Sequence, residues 1–570
     1  MERDNYPVGV WPSAPRQTVQ ATFPDNSVFE GPAGTPLEAF IRAAVSSPTS
    51  IMAAVVNGKL RELNYRLRRD ASIIPLSIDT SDGMRIYQRS LSFLLIVATR
   101  ELFPDASIIV DHSIAEGGYF CEVVGRPNFT SEELARIEAR MQEIVQADDP
   151  ISHCHTPIDK ALQLFKAQGY RDKVRLLQSD HGRATLPIYT LRGIHDYFYG
   201  YMVPSTRYLH TFALQPASDG FVLIFPTRDR PTELPRFRSP SRLNSVFREH
   251  REWMEVMGIE DVASLNAAIA EGRIRELILV SEALHERRIA EIAARIARDR
   301  RTRLVLIAGP SSSGKTTFAK RLAVQLLSYG IHPVSIGLDD YFVDREATPR
   351  DETGAYDFES LQALDLALFN RQLLQLLDGE PVTLPHFNFQ TGRRETGRSL
   401  NISKDHIIIV EGIHGLNPDL IPQIPPEWTF RIYVSALTQL NLDWHNRVPT
   451  TDTRLIRRIV RDASFRGHTV HETLSHWESV LRGERRNIFP YQDNADEMFN
   501  SALLYEMAVL KPLVEPLLRH VDPWSTMEYM EAHRLLSFLS WFKPCDGSLV
   551  PDNSLLREFI GGSSLVNFSY

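Results

Sequence analysis

The chain has 570 residues, too many for one hydrophobic core, so two to four domains are expected. Its 43% apolar and 24% charged residues are those of an ordinary soluble globular protein, and a formal net charge of −8 gives no global attraction to nucleic acid or anionic membrane. Cys121, Cys154 and Cys545 are isolated and form no C-x-x-C pair, which points to a reduced, cytoplasmic setting, and no stretch approaches 18 consecutive apolar residues, so no membrane span is expected.

The N-terminal "MERDNYPVGVWPSAP" has no apolar core and does not read as a secretory signal. Residues 1–17, rich in Pro and polar side chains, are expected to be loosely held. From Thr18 to about Thr80, short strands and turns follow. "TVQATF" is strand-like, "PLEAFIRAAV" has helical period, and Asn57-Gly58 inside "MAAVVNGKLREL" is a hairpin signal. Residues 84–104 read as an amphipathic helix stopped by Pro104. A second helix over 130–146 opens on Thr130 with Glu133 three residues on, the capping-box spacing. Mixed strands are expected from there to about Phe225.

"PTRDRPTELPRFRSP" (226–240) is dense in Pro and Arg and reads as a linker. Residues 241–300 look helical, and their last run, with both charge signs, reads as a solvated helix face. From Arg303 apolar strands alternate with helices, which implies a parallel sheet covered on both faces.

"GPSSSGKTTF" (309–318) has the G-x-x-x-x-G-K-T spacing of a phosphate-gripping loop, between the strand "RLVLIAG" and the helix "KTTFAKRLAVQLL". Gly309, Ser311, Ser312, Ser313, Gly314 and Thr317 would bring backbone N–H groups to phosphates at a helix N-terminus. Lys315 would reach the β and γ phosphates of ATP, and Thr316 would offer its hydroxyl to Mg²⁺. "SIGLDDYF" delivers Asp339 and Asp340 to a strand's C-terminal end, where a carboxylate can accept a proton or hold the metal. "HIIIVEGIHGL" ends a third strand in Glu411, a pattern that supports Mg²⁺, usually through water. "RLIRRIVRDASFRG" gathers Arg454, Arg457, Arg458, Arg461 and Arg466, the charge that phosphoryl transfer needs around the moving group.

Six segments in order carry a resemblance: "GPSSSGKTTFAKRL", "LDDYF", "GAYDFES", "GEPVTLPHFNFQTGRR", "IIIVEGIHGLNPDL" and "RLIRRIVRDASFRGHT". Through them residues 303–520, about 40% of the chain, resemble the uridine kinase and phosphoribulokinase group of P-loop kinases. The resemblance implies about five parallel strands and transfer of the γ-phosphate of ATP to a primary hydroxyl, usually the 5′-OH of a nucleoside. It implies that Asp339 is the general base, that Asp351 lies near the sugar and that Phe387 flanks the base, with Tyr341 also expected to bind substrate. Arg394 falls on the substrate side and Arg458, Arg461 and Arg466 in the lid. The sequence departs from the family where Gly392 replaces a pyrimidine-reading His and Asn388 replaces an Asp. Uridine or cytidine is the first acceptor to test, with another small hydroxyl compound, such as a sugar phosphate or a pantothenate-like molecule, beside it.

Residues 18–80 resemble the TGS module, a small β-grasp fold, in "ATFPDNSVFEGPAGTPLEAF" and "AAVVNGKLRELNYRLRRDASI". Residues 81–225 resemble the second N-terminal domain of threonyl-tRNA synthetase in "DHSIAEGGYFCEV", "FTSEELARIEARMQEIV" and "DKVRLL". In the synthetase that domain edits through an H-x-x-x-H and a C-x-x-x-H pair. Arg89, Phe93, Phe198 and Met202 stand at those positions, which implies a domain without editing. His112, His153 and His155 show no ligand spacing. The order of parts, with 226–300 as linker and helical segment, 301–520 as kinase and 521–570 as C-terminal extension, resembles long bacterial nucleoside kinases. The tail "NSLLREFIGGSSL" carries the same resemblance. The front half keeps a second class of function open, an RNA- or tRNA-binding protein switched by nucleotide. A homo-oligomer is expected.

Overall fold

The computed structural model describes residues 16–114, 117–179, 182–236, 241–351, 354, 356–403, 405–438, 440–523 and 526–568. Most of the N-terminal segment expected to be loosely held, and residues 237–240 of the expected linker, lie outside these. The chain divides into two compact units, residues 1–174 with 182–237, and residues 175–181 with 238–570. No helix among the described residues is long and apolar enough to cross a membrane.

The first unit opens with β1 (Thr18–Thr22), β2 (Val28–Pro32), β3 (Thr35–Pro36), α1 (Leu37–Ala44), β4 (Ile51–Val56), β5 (Lys59–Arg61), β6 (Arg66–Leu67) and β7 (Ala71–Ser77). Five of these strands form a mixed sheet in the order β2-β1-β7-β4-β5, with β1 parallel to β7 and the other neighbours antiparallel. The β4–β5 hairpin turns at Asn57 and Gly58 with φ of 48° and 76°, the left-handed pair of a type I′ turn. Then come α2 (Ser81–Leu102), β8 (Ser107–Ile114), β9 (Gly118–Val124), α3 (Ser131–Ala147) and β10 (Ser152–Pro157). The helices α4 (Ile158–Gln168) and α5 (Arg171–Ser179) interrupt the run expected to be strands, and β11 (Thr185–Leu191), β12 (Ile194–Tyr197), β13 (Ala213–Ala217) and β14 (Gly220–Ile224) follow. Helix α2 begins at Ser81 because the Thr80 hydroxyl caps the Gly83 N–H at 3.1 Å. Thr130 and Glu133 close a reciprocal capping box on α3.

The second unit opens with three helices, α6 (Ser241–Met257), α7 (Val262–Ala270) and α8 (Ile274–Arg298). Helix α8 is not a solvated rod. His285, Ile289, Ile292 and Ile296 are buried along one side, and Glu282 and Glu286 bind Arg321 at 3.3 and 2.7 Å. The α/β core follows with β15 (Leu304–Ala308), α9 (Lys315–Ser328), β16 (His332–Gly337), α10 (Leu366–Leu377), the hairpin β17 (Val382–Asn388) with β18 (Arg393–Leu400), β19 (His406–Glu411) and β20 (Thr429–Ser435). Then come α11 (Thr450–Arg461), α12 (Val470–Asn487), β21 (Glu497–Asn500), α13 (Glu506–Arg519), α14 (Thr526–Leu539) and the single turn α15 (Arg557–Ile560). Five parallel strands make the central sheet in the order β16-β19-β15-β20-β21. All five residues of β15 are buried, as a strand covered on both faces requires. Register sets Gly337 and Ile307 beside Glu411, so the ends of β15, β16 and β19 open onto one edge.

Candidate active site

The phosphate loop lies at that carboxyl edge. Gly309 passes so close to β20 that a Cβ would stand 1.9 Å from the Val434 carbonyl oxygen, so only glycine lets the strand and loop meet there. Lys315 donates from Nζ to the carbonyls of Gly309 and Pro310 at 2.9 and 3.1 Å. The Thr316 hydroxyl donates to Glu411 Oε1 at 2.8 Å, while the buried Oε2 of Glu411 has no partner among the described residues. Burial raises the Glu411 pKa to about 7 against the pull of Lys315 and the Thr316 hydrogen bond, with Glu558 and Asp339 adding repulsion. A hydroxyl touching a carboxylate that keeps one oxygen uncommitted is a donor set that fits Mg²⁺, whose other positions are filled by water and phosphate oxygens. No group of three or more His, Cys, Asp or Glu among the described residues could hold a metal ion without such help.

The two aspartates after β16 do different work. Asp340 Oδ1 accepts from the Phe387 N–H at 3.3 Å and lies 3.0 Å from His386 Nδ1, which ties it to the β17–β18 hairpin. Asp339 instead lies within electrostatic reach of Lys315, Arg461 and Arg466. It is reachable by water but walled by protein. This desolvation raises its pKa, Lys315, Arg466 and Arg461 pull it back, and Asp340 pushes it up. Glu359, in the "GAYDFES" segment, completes the cluster. Desolvation, with repulsion from Glu484 and Asp339, raises it to about 7 while Arg458 and Lys315 oppose, and its Oε2 is buried with no partner among the described residues. Sequence reasoning quoted that segment but gave Glu359 no role. Helix α12 reaches it so closely that a Cβ on Gly483 would lie 2.3 Å from Glu359 Cβ.

The five arginines of 454–466 separate into two kinds. Arg454 and Arg457 are 1% and 0% exposed and brace the loop. Arg454 donates to Glu484 Oε2 at 2.8 Å and to the Ser311 carbonyl at 3.1 Å, and Glu484 Oε1 accepts from the Ser311 N–H at 2.9 Å. Arg457 donates to Glu506 at 2.6 Å and to the Ser501 carbonyl at 2.8 Å. Arg458, Arg461 and Arg466 form a second group. Asp462, 2% exposed, gathers them at 3.2, 2.9 and 3.8 Å. Arg458 also reaches the Ser311 hydroxyl at 2.9 Å. Asp462–Arg466 form a π turn at the end of α11, the kind of helix irregularity that often marks functional sites.

The other expected substrate residues make protein contacts, and Tyr341 also lines a cleft with Thr316, Asp340 and Glu411. Tyr341 is 1% exposed, bonds Gln372 at 2.8 Å and meets Phe369 edge to face, so its hydroxyl is spent in the core. Phe387, also 1% exposed, packs against Phe342 and Phe389. Asp351 pairs with Arg482 at 3.3 Å, and Arg394 with Asp365 at 2.7 Å. Gly392 has φ of 69°, and a Cβ there would lie 2.7 Å from Arg345 Nε. A histidine at this position would be strained, so the turn is built for glycine. Asn388 shapes that turn by accepting from the N–H groups of Gln390 and Thr391.

In the first unit the replaced editing positions lie in packed interior. Phe93 and Phe198 are 0% and 1% exposed with ring centroids 5.3 Å apart, and Met202 is buried beside them. Arg89 donates to the Tyr201 carbonyl. His153 lies 3.1 Å from Glu62, a contact that raises its pKa.

Residues 304–503 match the model of the Phosphoribulokinase / Uridine kinase family. The match to this kinase family covers 200 of the 570 residues. It holds the phosphate loop, both aspartates, Glu359, Glu411 and the arginine helix. In the N-terminal part, 170 residues are 33% identical to the threonine–tRNA ligase of Marinobacter nauticus, covering 30% of this chain and 26% of that ligase. Over 202 residues the chain is 31% identical to the threonine–tRNA ligase of Aromatoleum aromaticum, covering 35% of this chain and 31% of the ligase. The chain therefore spans between a quarter and a third of the length of these curated relatives. The solved phosphoribulokinase of Rhodobacter spheroides aligns at 19% identity over 34% of this chain and 68% of that chain, with a TM-score of 0.24, too low to add to the family match.

Proposed function

We propose that the second unit is an ATP-dependent phosphotransferase that moves the γ-phosphate onto a hydroxyl of a nucleoside-like small molecule, with uridine and cytidine the first acceptors to test. The observation that carries this reading is Asp339 just past the end of β16, at the edge that holds the phosphate loop, within electrostatic reach of Lys315, Arg461 and Arg466. Asp339 takes the proton of the acceptor hydroxyl as the oxygen attacks, and its raised pKa makes it a stronger base than a free carboxylate. Lys315 leaves its loop carbonyls for the β and γ phosphates, and Arg458, Arg461 and Arg466 hold the charge on the moving group. Thr316 and Glu411 would hold Mg²⁺, which neutralises the phosphate oxygens when bound.

The loss of a pyrimidine-reading side chain at Gly392 keeps other small hydroxyl compounds in the test. Incubating the protein with ATP and Mg²⁺ against nucleosides, sugar phosphates and pantothenate-like compounds should give ADP only with the true acceptor. Absence of acceptor-dependent ADP across the panel would defeat this reading.

The similarity to tRNA ligases supports a second reading of the first unit. Residues 18–80 are read as a TGS-like β-grasp module, on the mixed five-stranded sheet with α1, and 81–225 as an editing-like domain that no longer edits. Filled by Phe93, Phe198 and Met202, the old site has no metal ligand or proton carrier, which leaves RNA binding as the activity to test. Filter binding with tRNA at low salt should show retention that falls steeply as salt rises. No retention at low salt removes the RNA reading.

A further inference from the structure

The C-terminal tail returns to the phosphate loop. Glu558 Oε2, on α15, accepts from the backbone N–H of Thr317 at 3.2 Å and from its hydroxyl at 2.9 Å. Thr317 sits in the first turn of α9, where N–H groups without helical partners point at anions and where a P-loop cradles phosphate. Leu555 presses on the loop itself, its Cδ2 2.4 Å from where a Cβ on Gly314 would stand. One turn along α9, Lys320 donates from Nζ to the carbonyls of Leu565 and Val566 at 2.7 and 3.1 Å. Phe568 then lines a cleft of about 410 Å³ together with Thr316, Asp340, Arg398 and Glu411. The tail touches the lid as well, because a Cβ on Gly561 would lie 2.9 Å from the Phe465 ring.

The segment is held as a unit. Arg557 donates to the carbonyls of Pro551, Gly547 and Gly561 at 3.2 to 3.3 Å, and Phe559 is fully buried with the Arg457 guanidinium 5.0 Å from its ring centroid. A carboxylate thus occupies an anion seat that a nucleotide's phosphates need, delivered by residues 241 positions away in sequence.

We propose that residues 551–568 are an autoinhibitory strap. Glu558 stands in for a phosphate at the Thr317 amide, and a nucleotide polyphosphate must displace it to bind. The inference rests on the nucleotide-binding reading of the loop. One N–H cannot serve both anions, and a carboxylate left beside a polyphosphate repels it. The cost of displacing the strap therefore lowers the apparent affinity of the closed protein for nucleotide.

The test uses the full chain as wild type, E558Q and E558A, with E558Q nearly isosteric so that folding is preserved. Calorimetric titration with Mg·ATP, and separately with inorganic tripolyphosphate, should show both ligands binding about 5-fold or more tighter to the variants. Hydrogen exchange on the wild type should show residues 551–568 losing amide protection at saturating ATP. Equal or weaker binding by the variants overturns the strap and leaves nucleotide binding standing. Tighter binding with tail protection unchanged or increased also overturns it. If neither ligand binds any of the three proteins, the strap and the nucleotide reading fail together.

Discussion

The two units differ in what stands at the positions where a resemblance places chemistry. In the first, the four positions at which the resemblance places editing residues are occupied by Phe93, Phe198, Met202 and Arg89. The first three are buried among apolar neighbours, and Arg89 is satisfied by the Tyr201 carbonyl. In the second, carboxylates, arginines and a lysine converge on a cleft, and Glu359, Glu411, Ser312 and Ser313 each keep a buried polar atom with no partner among the described residues. At the four positions of the first unit apolar side chains and one backbone-bonded arginine leave no ionisable carboxylate or imidazole. Where a ligand supplies the missing partners, the protein alone leaves them open at a cost in stability.

The sharpest break of this comparison is at Asp339. Asp339→Asn should lower acceptor-dependent ADP formation about 10²- to 10⁴-fold while Mg·ATP still binds by calorimetry. Unchanged turnover would remove Asp339 from the base role. The arginine helix divides the same way. Arg466→Ala, at an exposed side chain, should cost about 10²-fold in turnover with little change in melting temperature. Arg457→Ala strands the buried Glu506 and should instead destabilise the fold by about 3–5 kcal/mol, read from denaturant unfolding. If both variants lose activity without losing stability, the distinction between brace and clamp is wrong.

In the first unit Phe198→Ala should cost about 3–5 kcal/mol of that unit's stability and leave acceptor-dependent ADP formation unchanged. A variant that melts like the wild type would mean the filled site is not core. The smallest effect is with pH. Burial holds Glu359 and Glu411 at about 7 in the fold against 4.5 for a free glutamate. Between those values the folded state binds more protons than the unfolded one, so stability should fall as pH rises from about 4.5 to about 7. The nucleotide-free protein should melt lower at pH 7.5 than at pH 5.5, with a shallower slope in the double variant E359Q/E411Q. Equal slopes would show that neither carboxyl is shifted.

The phosphate loop was legible in sequence because its chemistry is local. Eight adjacent residues, a strand before and a helix after are enough to define it. Asp339 and Glu411 were legible because apolar strands that end in acids place them at one sheet edge. The division of labour among the arginines was not. Residues 454 to 466 read alike along one helix, and only the positions of Glu484, Glu506 and Asp462 decide which guanidinium is buried in its own pair and which shares Asp462. Tyr341 and Phe387 read as substrate contacts because they neighbour the right motifs, and only the packed chain shows that both are 1% exposed, with the Tyr341 hydroxyl bonded to Gln372. Helices α4 and α5 were missed in a run that read as mixed strands.

By itself the sequence determined the class of the second unit's fold, the phosphate-loop motif and the apolar identity of Phe93, Phe198 and Met202. Each of these is written in spacing a few residues long. Only the tertiary structure brought Glu359 to Lys315, split Asp339 from Asp340 and laid Glu558 on the Thr317 amide. Burial and long-range contact are properties of the packed chain, and no local spacing encodes which distant carboxylate a helix N-terminus will meet.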